Sequence, residues 1–247
     1  MKLTVLGCSG SLPGPDSPAS GYLVEEDGYR LVLDLGHGAL GALQQHVEAP
    51  DVDAIVLSHL HGDHCIDLTA YVNALRYGPR RREGRIPVIG PSGTRVRIET
   101  AYDPLARKLG LQELFEFSTP RSGELGPFAV SVTRVNHPVP AYAISLSVGD
   151  RRLVYSGDTG ESDALVSLAH GADVLLCEAS FGPDDPYVPD LHLTGKQAGE
   201  HAARAEVDRL IVTHVPPWNS RDVAVAEAAA AFPGRIEAAQ PGGVYWI

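Results

Sequence analysis

Residues 53–68 read DAIVLSHLHGDHCIDL, and this stretch decides the fold. Ala54–Leu57 is a short continuous apolar run of the kind that forms a buried strand. His59, His61, Asp63 and His64 follow it within six residues. Neutral imidazole and carboxylate are good ligands for zinc and related divalent ions. In extended backbone, residues two apart point to the same side, so His59 and His61 can grip one ion. Gly62 permits a tight turn, after which Asp63 and His64 project toward a second ion at the start of the amphipathic helix expected over Ile66–Tyr77. Four donors this close would crowd one site and suit two.

Apolar runs of the same kind recur outward from this stretch. Strands are expected at Leu3–Leu6, Leu31–Leu35, Ala54–Leu57, Pro87–Ile89, Val130–Val135, Ala143–Val148, Leu153–Tyr155, Asp173–Cys177 and Leu210–Thr213. Gly149-Asp150 between two of them is a hairpin signal. Helical spacing is expected over Ala39–Val47, Ile66–Tyr77, Arg95–Lys108, Asp163–His170, Gly195–Ala205 and Asp222–Phe232. Strands alternating with helices indicate a layered α/β arrangement with mixed sheets. No linker-like stretch divides the 247 residues, so one continuous domain, 1–247, is expected. The segment DRLIVTHVPP echoes DAIVLSHLHGDH: aspartate, apolar strand, hydroxyl residue, histidine. Two such units suit a sandwich that presents ligands from both halves along one edge.

Composition narrows the function classes. Thirty-one acidic residues against 20 basic ones give a net charge of -11. Phosphate neutralisation on duplex nucleic acid needs clustered Lys and Arg, so a large nucleic-acid partner is disfavoured while a small anionic substrate is not. The three cysteines (Cys8, Cys65 and Cys177) are far apart and lack CxxC spacing, which fits a reducing cytoplasm and no disulfide framework. No apolar run approaches the length of a membrane span, so no membrane partner is expected.

Three further candidates each follow an apolar strand. His137 ends VSVTRVNH, Asp158 sits in VYSGDTG, and His214 ends RLIVTH. HxHxDH, a lone His, SGDTG and a strand-terminal His, in this order, resemble the metallo-β-lactamase superfamily, with matches over nearly the whole chain. The resemblance implies a four-layer αββα sandwich, two mixed sheets flanked by helices, with metals at the edge between them. It also implies one ion held by His59, His61 and His137, and a second by Asp63, His64 and His214, with Asp158 bridging. Zinc is the first expectation, with manganese or iron as alternatives. Asp34, closing LVLDLG, matches an aspartate that supports such a site without ligating. Two cations flanking a water lower its pKa and hold hydroxide at neutral pH, with Asp63 assisting its positioning.

The motifs VLLCEASF and DLHLTG resemble the phosphodiesterase branch that contains ribonuclease Z, in which a Glu and a His pair near the leaving oxygen. The matching positions are Glu178 and His192, a carboxylate that can orient an imidazole acting as general acid. Cys177 departs from the histidine of that branch's motif and leaves the pair intact. Ribonuclease Z enzymes carry a long RNA-gripping arm, whereas only 20 residues separate His137 from Asp158. Their early loop carries Lys and Arg, whereas GSLPGPDSPAS carries neither. The whole set, with GPDSPASGYL and THVPPWNSR, looks closest to bacterial atypical class II cyclic nucleotide phosphodiesterases. Such a resemblance implies hydrolysis of a 3',5'-cyclic nucleotide, cyclic AMP first, and a homodimer. Arg221, in WNSR, is a candidate phosphate contact. The cluster Arg76, Arg80, Arg81, Arg82 and Arg85 is either a positive lip to the site or, as the favoured reading, a solvated loop or subunit contact. The alternatives are an RNA endonuclease, an ester or lactone hydrolase and, least favoured, a metal-binding accessory protein without turnover.

Overall fold

Short runs of Val, Leu and Ile that are apolar on both faces pair into sheets covered on both sides. The computed structural model describes residues 1–103, 110–186 and 188–247. Its strands are β1 (Lys2–Gly7), β2 (Gly21–Glu26), β3 (Tyr29–Leu35), β4 (Ala54–Val56), β5 (Ile86–Ile89), β6 (Phe115–Ser118), β7 (Gly123–Leu125), β8 (Phe128–Arg134), β9 (Tyr142–Val148), β10 (Arg151–Tyr155), β11 (Val174–Glu178), β12 (Arg209–Thr213), β13 (Arg235–Ala238) and β14 (Val244–Trp246). They form two seven-stranded sheets, ordered β14-β1-β2-β3-β4-β5-β6 and β13-β12-β11-β10-β9-β8-β7. Each sheet is antiparallel in one half and parallel in the other, the switch falling at β3 and at β10. Parallel strands place their C-terminal ends, and the loops after them, on one rim.

The helices are α1 (Ala39–Leu43), α2 (Gly62–Cys65), α3 (Leu68–Tyr77), α4 (Thr94–Tyr102), α5 (Leu111–Leu114), α6 (Asp163–Ala169), α7 (Gly195–Arg204) and α8 (Arg221–Ala229). Period-two alternation sorts each strand between layers. Leu31 and Leu33 of β3 face inward with Tyr22 and Val56 against Leu146, Leu153, Leu176 and Ile211 of the second sheet. Val32 faces outward onto Leu43, Leu68 and Tyr71, joined by Leu35, which the irregularity at Asp34 turns to that side. On the far side Val154, Leu175 and Val212 meet Leu165, Ala198, Ala202 and Ala228. Three apolar seams bind helix, sheet, sheet and helix, which is the expected αββα sandwich. Small residues let α7 and α8 approach closely: a Cβ at Gly199 would stand 2.4 Å from the Ala228 carbonyl oxygen. None of the helices among the described residues is long and apolar enough to cross a membrane.

Several local expectations shift. The helix expected over Ile66–Tyr77 begins earlier, as the single turn α2 and then α3. Residues 104–108 of the expected helix Arg95–Lys108 lie outside the described residues, and α4 covers its start. The strands β2, β6, β7, β13 and β14 carry glycine, charge or only three residues, so their sequences lack a clear apolar run. Gly149-Asp150 does close the β9–β10 hairpin, with Val148 opposite Arg151 and Gly149 at φ +58°.

The basic cluster is engaged in local structure. Arg80 pairs with Glu48 and Asp51, Arg82 donates to the Pro50 and Val52 carbonyls, and Arg85 meets Glu116. Arg81 donates to the Leu75 carbonyl at 3.2 Å and to that of Arg76. Arg80 and Arg82 thus strap the segment after α3 to residues 48–52, and Arg85 ties it to β6.

Candidate metal centre

Asp34 closes β3 at φ +56° and is wholly buried. Its Oδ1 accepts the Ser58 backbone N–H at 2.7 Å. Its Oδ2 accepts from Ser58 Oγ, His64 Nδ1 and Tyr155 OH, each at 2.7 Å. A carboxylate can only accept, so His64 carries a proton on Nδ1 and turns Nε2 into the site. Gly36, just beyond Asp34, lets β3 run against α2: a Cβ there would stand 1.8 Å from the Asp63 carbonyl oxygen.

The β4 exit delivers His59 and His61. His59 Nε2 and His137 Nε2 lie 3.1 and 3.2 Å from His61 Nδ1, and His59 Nε2 lies 3.4 Å from Asp158 Oδ2. Outer hydrogen bonds set the tautomers. His137 Nδ1–H donates to the Leu191 carbonyl at 2.9 Å. Ser58 Oγ, already donating to Asp34, accepts from His59 Nδ1–H at 3.0 Å. Lone pairs therefore converge. Ligands about 2.0–2.1 Å from a tetrahedral ion stand about 3.3–3.4 Å apart, close to these spacings.

A second group shares Asp158. His64 Nε2 lies 3.1 Å from Asp158 Oδ1 and 3.4 Å from Asp63 Oδ2. His214 Nε2 lies 3.4 Å from Asp158 Oδ2 and 3.8 Å from Asp63 Oδ2, while its Nδ1 meets Ser20 Oγ at 2.8 Å. His64 Nε2, His214 Nε2 and Asp158 Oδ1 are buried and have no hydrogen-bond partner among the described residues. Buried polar atoms left so are costly, and a shared cation resolves all three. The clusters His59, His61, His137, Asp158 and Asp63, His64, Asp158, His214 can thus hold metal.

Burial pushes His59, His61, His137 and His214 below the ordinary imidazole value, which keeps them neutral and able to ligate. For His64 burial acts downward too, but the Asp158 and Asp34 carboxylates outweigh it and hold a proton there, which a bound ion would displace. Burial would raise Asp63 and Asp158, yet the surrounding imidazoles keep both well below the usual carboxylate range.

Beside this nest stands Glu178, wholly buried at the end of β11. Its Oε1 accepts the Thr159 N–H at 2.9 Å and His192 Nδ1 at 2.8 Å. Its Oε2 accepts the Ser180 and Leu193 N–H groups at 3.0 and 3.3 Å. Burial lowers the His192 pKa, but the Glu178 carboxylate more than offsets this and lifts it to about 9. His192 Nδ1 lies 4.0 Å from Asp158 Oδ2, and the Phe181 ring packs edge-on at 5.5 Å.

Nine of the sequence candidates, Asp34 included, therefore meet at one rim, at the ends of β3, β4, β8, β10, β11 and β12 or in the loops after them, joined by His192 from the loop before α7. Arg221 does not join them. It begins α8, donates to Gln240 Oε1 at 3.3 Å and lines a separate cavity. Ser20, Ser58, Tyr155, Phe181 and the Leu191 carbonyl escaped the sequence reading, because hydroxyls, aromatics and carbonyls carry no spacing signal.

Comparison with known proteins agrees with this geometry. The profile of the beta-lactamase superfamily domain matches residues 29–215. The uncharacterized protein ML1173 of Mycobacterium leprae is 44% identical, with 100% of this chain and 89% of that protein covered. The probable metallo-hydrolase YhfI of Bacillus subtilis is 30% identical over 99% of each chain. The crystal structure of that protein, described as a metallo-beta-lactamase fold protein, superposes with a TM-score of 0.87 at 28% identity, covering 99% of this chain and 98% of that one. Human tRNase Z, short form, shares the fold at 21% identity, with a TM-score of 0.80 and coverage of 100% and 99%. The histidine–aspartate nest, the profile match and these relatives together make the chain a metal-dependent hydrolase of the metallo-β-lactamase superfamily.

Proposed function

We propose that the chain is a phosphodiesterase that holds two divalent ions, zinc first with manganese or iron as alternatives, and opens a 3',5'-cyclic nucleotide, cyclic AMP first. One observation carries the reading: Asp158 lies within 4.0 Å of His59, His64 and His214 and also of the Glu178-held imidazole of His192. Divalent ions in the nest would lower the pKa of a bound water and neutralise phosphate charge. The attacking water, whose lowered pKa lets it release one proton to solvent, donates its remaining hydrogen to Asp63, which fixes its line of approach. As the new O–P bond forms, the P–O3' bond breaks, and His192 gives its proton to the departing 3'-oxygen. Glu178 keeps the imidazole oriented and protonated for that step. The product is a nucleoside 5'-monophosphate.

The tRNase Z likeness raises an RNA-cleaving alternative. Between His137 and Asp158 this chain has only the β9–β10 hairpin, which is part of the sheet. That leaves no arm in this interval to grip a long polyanion and favours the small substrate. A lone metal-activated water would also serve an ester or lactone, but the His192–Glu178 pair suits alkoxide departure. Metal analysis of the purified protein, then parallel turnover of cyclic AMP, cyclic GMP, bis(p-nitrophenyl) phosphate, a lactone and precursor transfer RNA, tests the reading. Precursor cleavage or lactone turnover without cyclic nucleotide turnover would overturn it.

A further inference from the structure

Two sequence motifs, GPDSPAS and VPPWNSR, of which the metal centre uses only Ser20, share the lining of a cavity beside it. Ser9 bridges to Val215, the residue directly after His214, and the Gly10 N–H donates to the Val215 carbonyl at 3.2 Å. The cavity has a volume of about 220 Å³. Its polar lining includes Ser9, Asp16 and Arg221, and its apolar walls include Pro15, Pro216 and Pro217.

The fold leaves these polar groups with hydrogen-bonding capacity to spare. Ser9 is 1% exposed, and its Oγ has no hydrogen-bond partner among the described residues. Asp16 is exposed and has no partner among the described residues. Arg221 has one hydrogen-bond partner among them, the Gln240 side chain at 3.3 Å, which leaves most of its five N–H donors open. A pocket built for an oxyanion would exclude a carboxylate, yet Asp16 lines this one as well as Arg221. The lining thus offers both donors and an acceptor together with proline faces. That is the pattern offered by the edge and plane of a purine, whose N7 accepts from an arginine fork and whose exocyclic amine donates to a carboxylate. The volume is below the roughly 300–1,000 Å³ of sites that enclose a whole drug-sized ligand, so a base fits with its ribose and phosphate outside. Position agrees as well. Val215 and Pro216 are one and two residues past His214, at about 3.8 Å of chain per step.

We infer that this cavity is the base-binding subsite of the enzyme and takes a purine, held at its edge by Arg221, Asp16 and Ser9. The inference rests on the cyclic nucleotide reading and moves Arg221 from a phosphate contact to a base contact. Calorimetric titration of the metal-loaded protein with 5'-AMP, 5'-GMP and the baseless ribose 5-phosphate tests it. The native protein binds the purine nucleotides roughly 10-fold or more tightly than ribose 5-phosphate, since one good bidentate base contact is worth about that. Arg221→Gln and Asp16→Asn, both at accessible positions, bring that ratio close to one. A native ratio near one, or a ratio that survives both substitutions, overturns the subsite. Base-dependent binding by a protein that hydrolyses no cyclic nucleotide would leave the subsite standing and overturn the phosphodiesterase reading instead.

Discussion

Asp34→Asn is the sharpest probe of the metal nest, because it changes one atom of a wholly buried group. The carboxylate accepts four hydrogen bonds, from the Ser58 N–H, Ser58 Oγ, His64 Nδ1 and Tyr155 OH, each at 2.7 Å. The best-tolerated amide rotamer keeps oxygen at the Oδ2 position and turns NH₂ toward the Ser58 N–H. Two buried donors, the Ser58 N–H and the new amide NH₂, are then orphaned, each costing about 1–3 kcal/mol. Three charge-assisted bonds become neutral ones, each weaker by about 1 kcal/mol. The expected destabilisation is therefore about 5–9 kcal/mol, a large share of a typical stability of about 5–15 kcal/mol. Metal binding should be hit asymmetrically. His64 keeps an acceptor for its Nδ1–H but loses the negative charge that strengthens Nε2 as a ligand, while His61 and His137 do not touch Asp34. Chelator competition on zinc-loaded protein should show the second ion weakened about 10- to 100-fold and the first much less. Tyr155→Phe is the control: it removes one donor, costs about 1 kcal/mol and keeps His64 in place. Equal weakening of both ions by Asp34→Asn, or no weakening, would refute the view that Asp34 acts through His64.

His192→Ala should keep both ions, read by metal analysis, and slow cyclic nucleotide turnover roughly 10²–10⁴-fold; full activity would remove His192 from the acid role. Gly36→Ala drives a methyl into the Asp63 carbonyl oxygen at 1.8 Å, so thermal melting should fall together with metal content, by about 1–3 kcal/mol or more. A pH effect should come from His201, which is 1% exposed and ties α7 to α6 by accepting the Ser162 N–H at 2.9 Å. Burial pushes its pKa below 6.5, so below that value the unfolded chain binds more protons than the folded one. Its contribution to stability is complete above pH 6.5 and is lost as pH falls through the lower, folded-state pKa. Denaturant titrations across that range should show a flatter pH slope for His201→Gln, and an unchanged slope would contradict the assignment.

The metal candidates were legible in the sequence for a local reason. His59, His61, Asp63 and His64 lie within one strand exit and one helical turn, so backbone periodicity alone predicts that they share a site. His137, Asp158 and His214 were recognisable as strand-end polar residues, although only their order along the chain joined them to that site. The apolar runs of β3, β4, β9, β10, β11 and β12 were legible because strands covered on both faces need no polar positions. Edge strands such as β6, β13 and β14 were not, since half their residues face solvent and the pattern dissolves.

The donor chemistry and the layered class of the fold rest on residue type and short-range spacing, so they can be read along the chain. Which donors meet, and what holds them, depends on how the chain packs. Tyr155, 121 residues from Asp34, bonds the carboxylate that holds His64 because sheet packing brings β3 against β10. Ser20 reaches His214 across 194 residues of chain. The arginines divide in the same way: charge alone made Arg80 and Arg221 alike, but Arg80 lies against Glu48 and Asp51 while Arg221 opens onto a cavity. Long-range juxtaposition depends on packing shape, which no local spacing records.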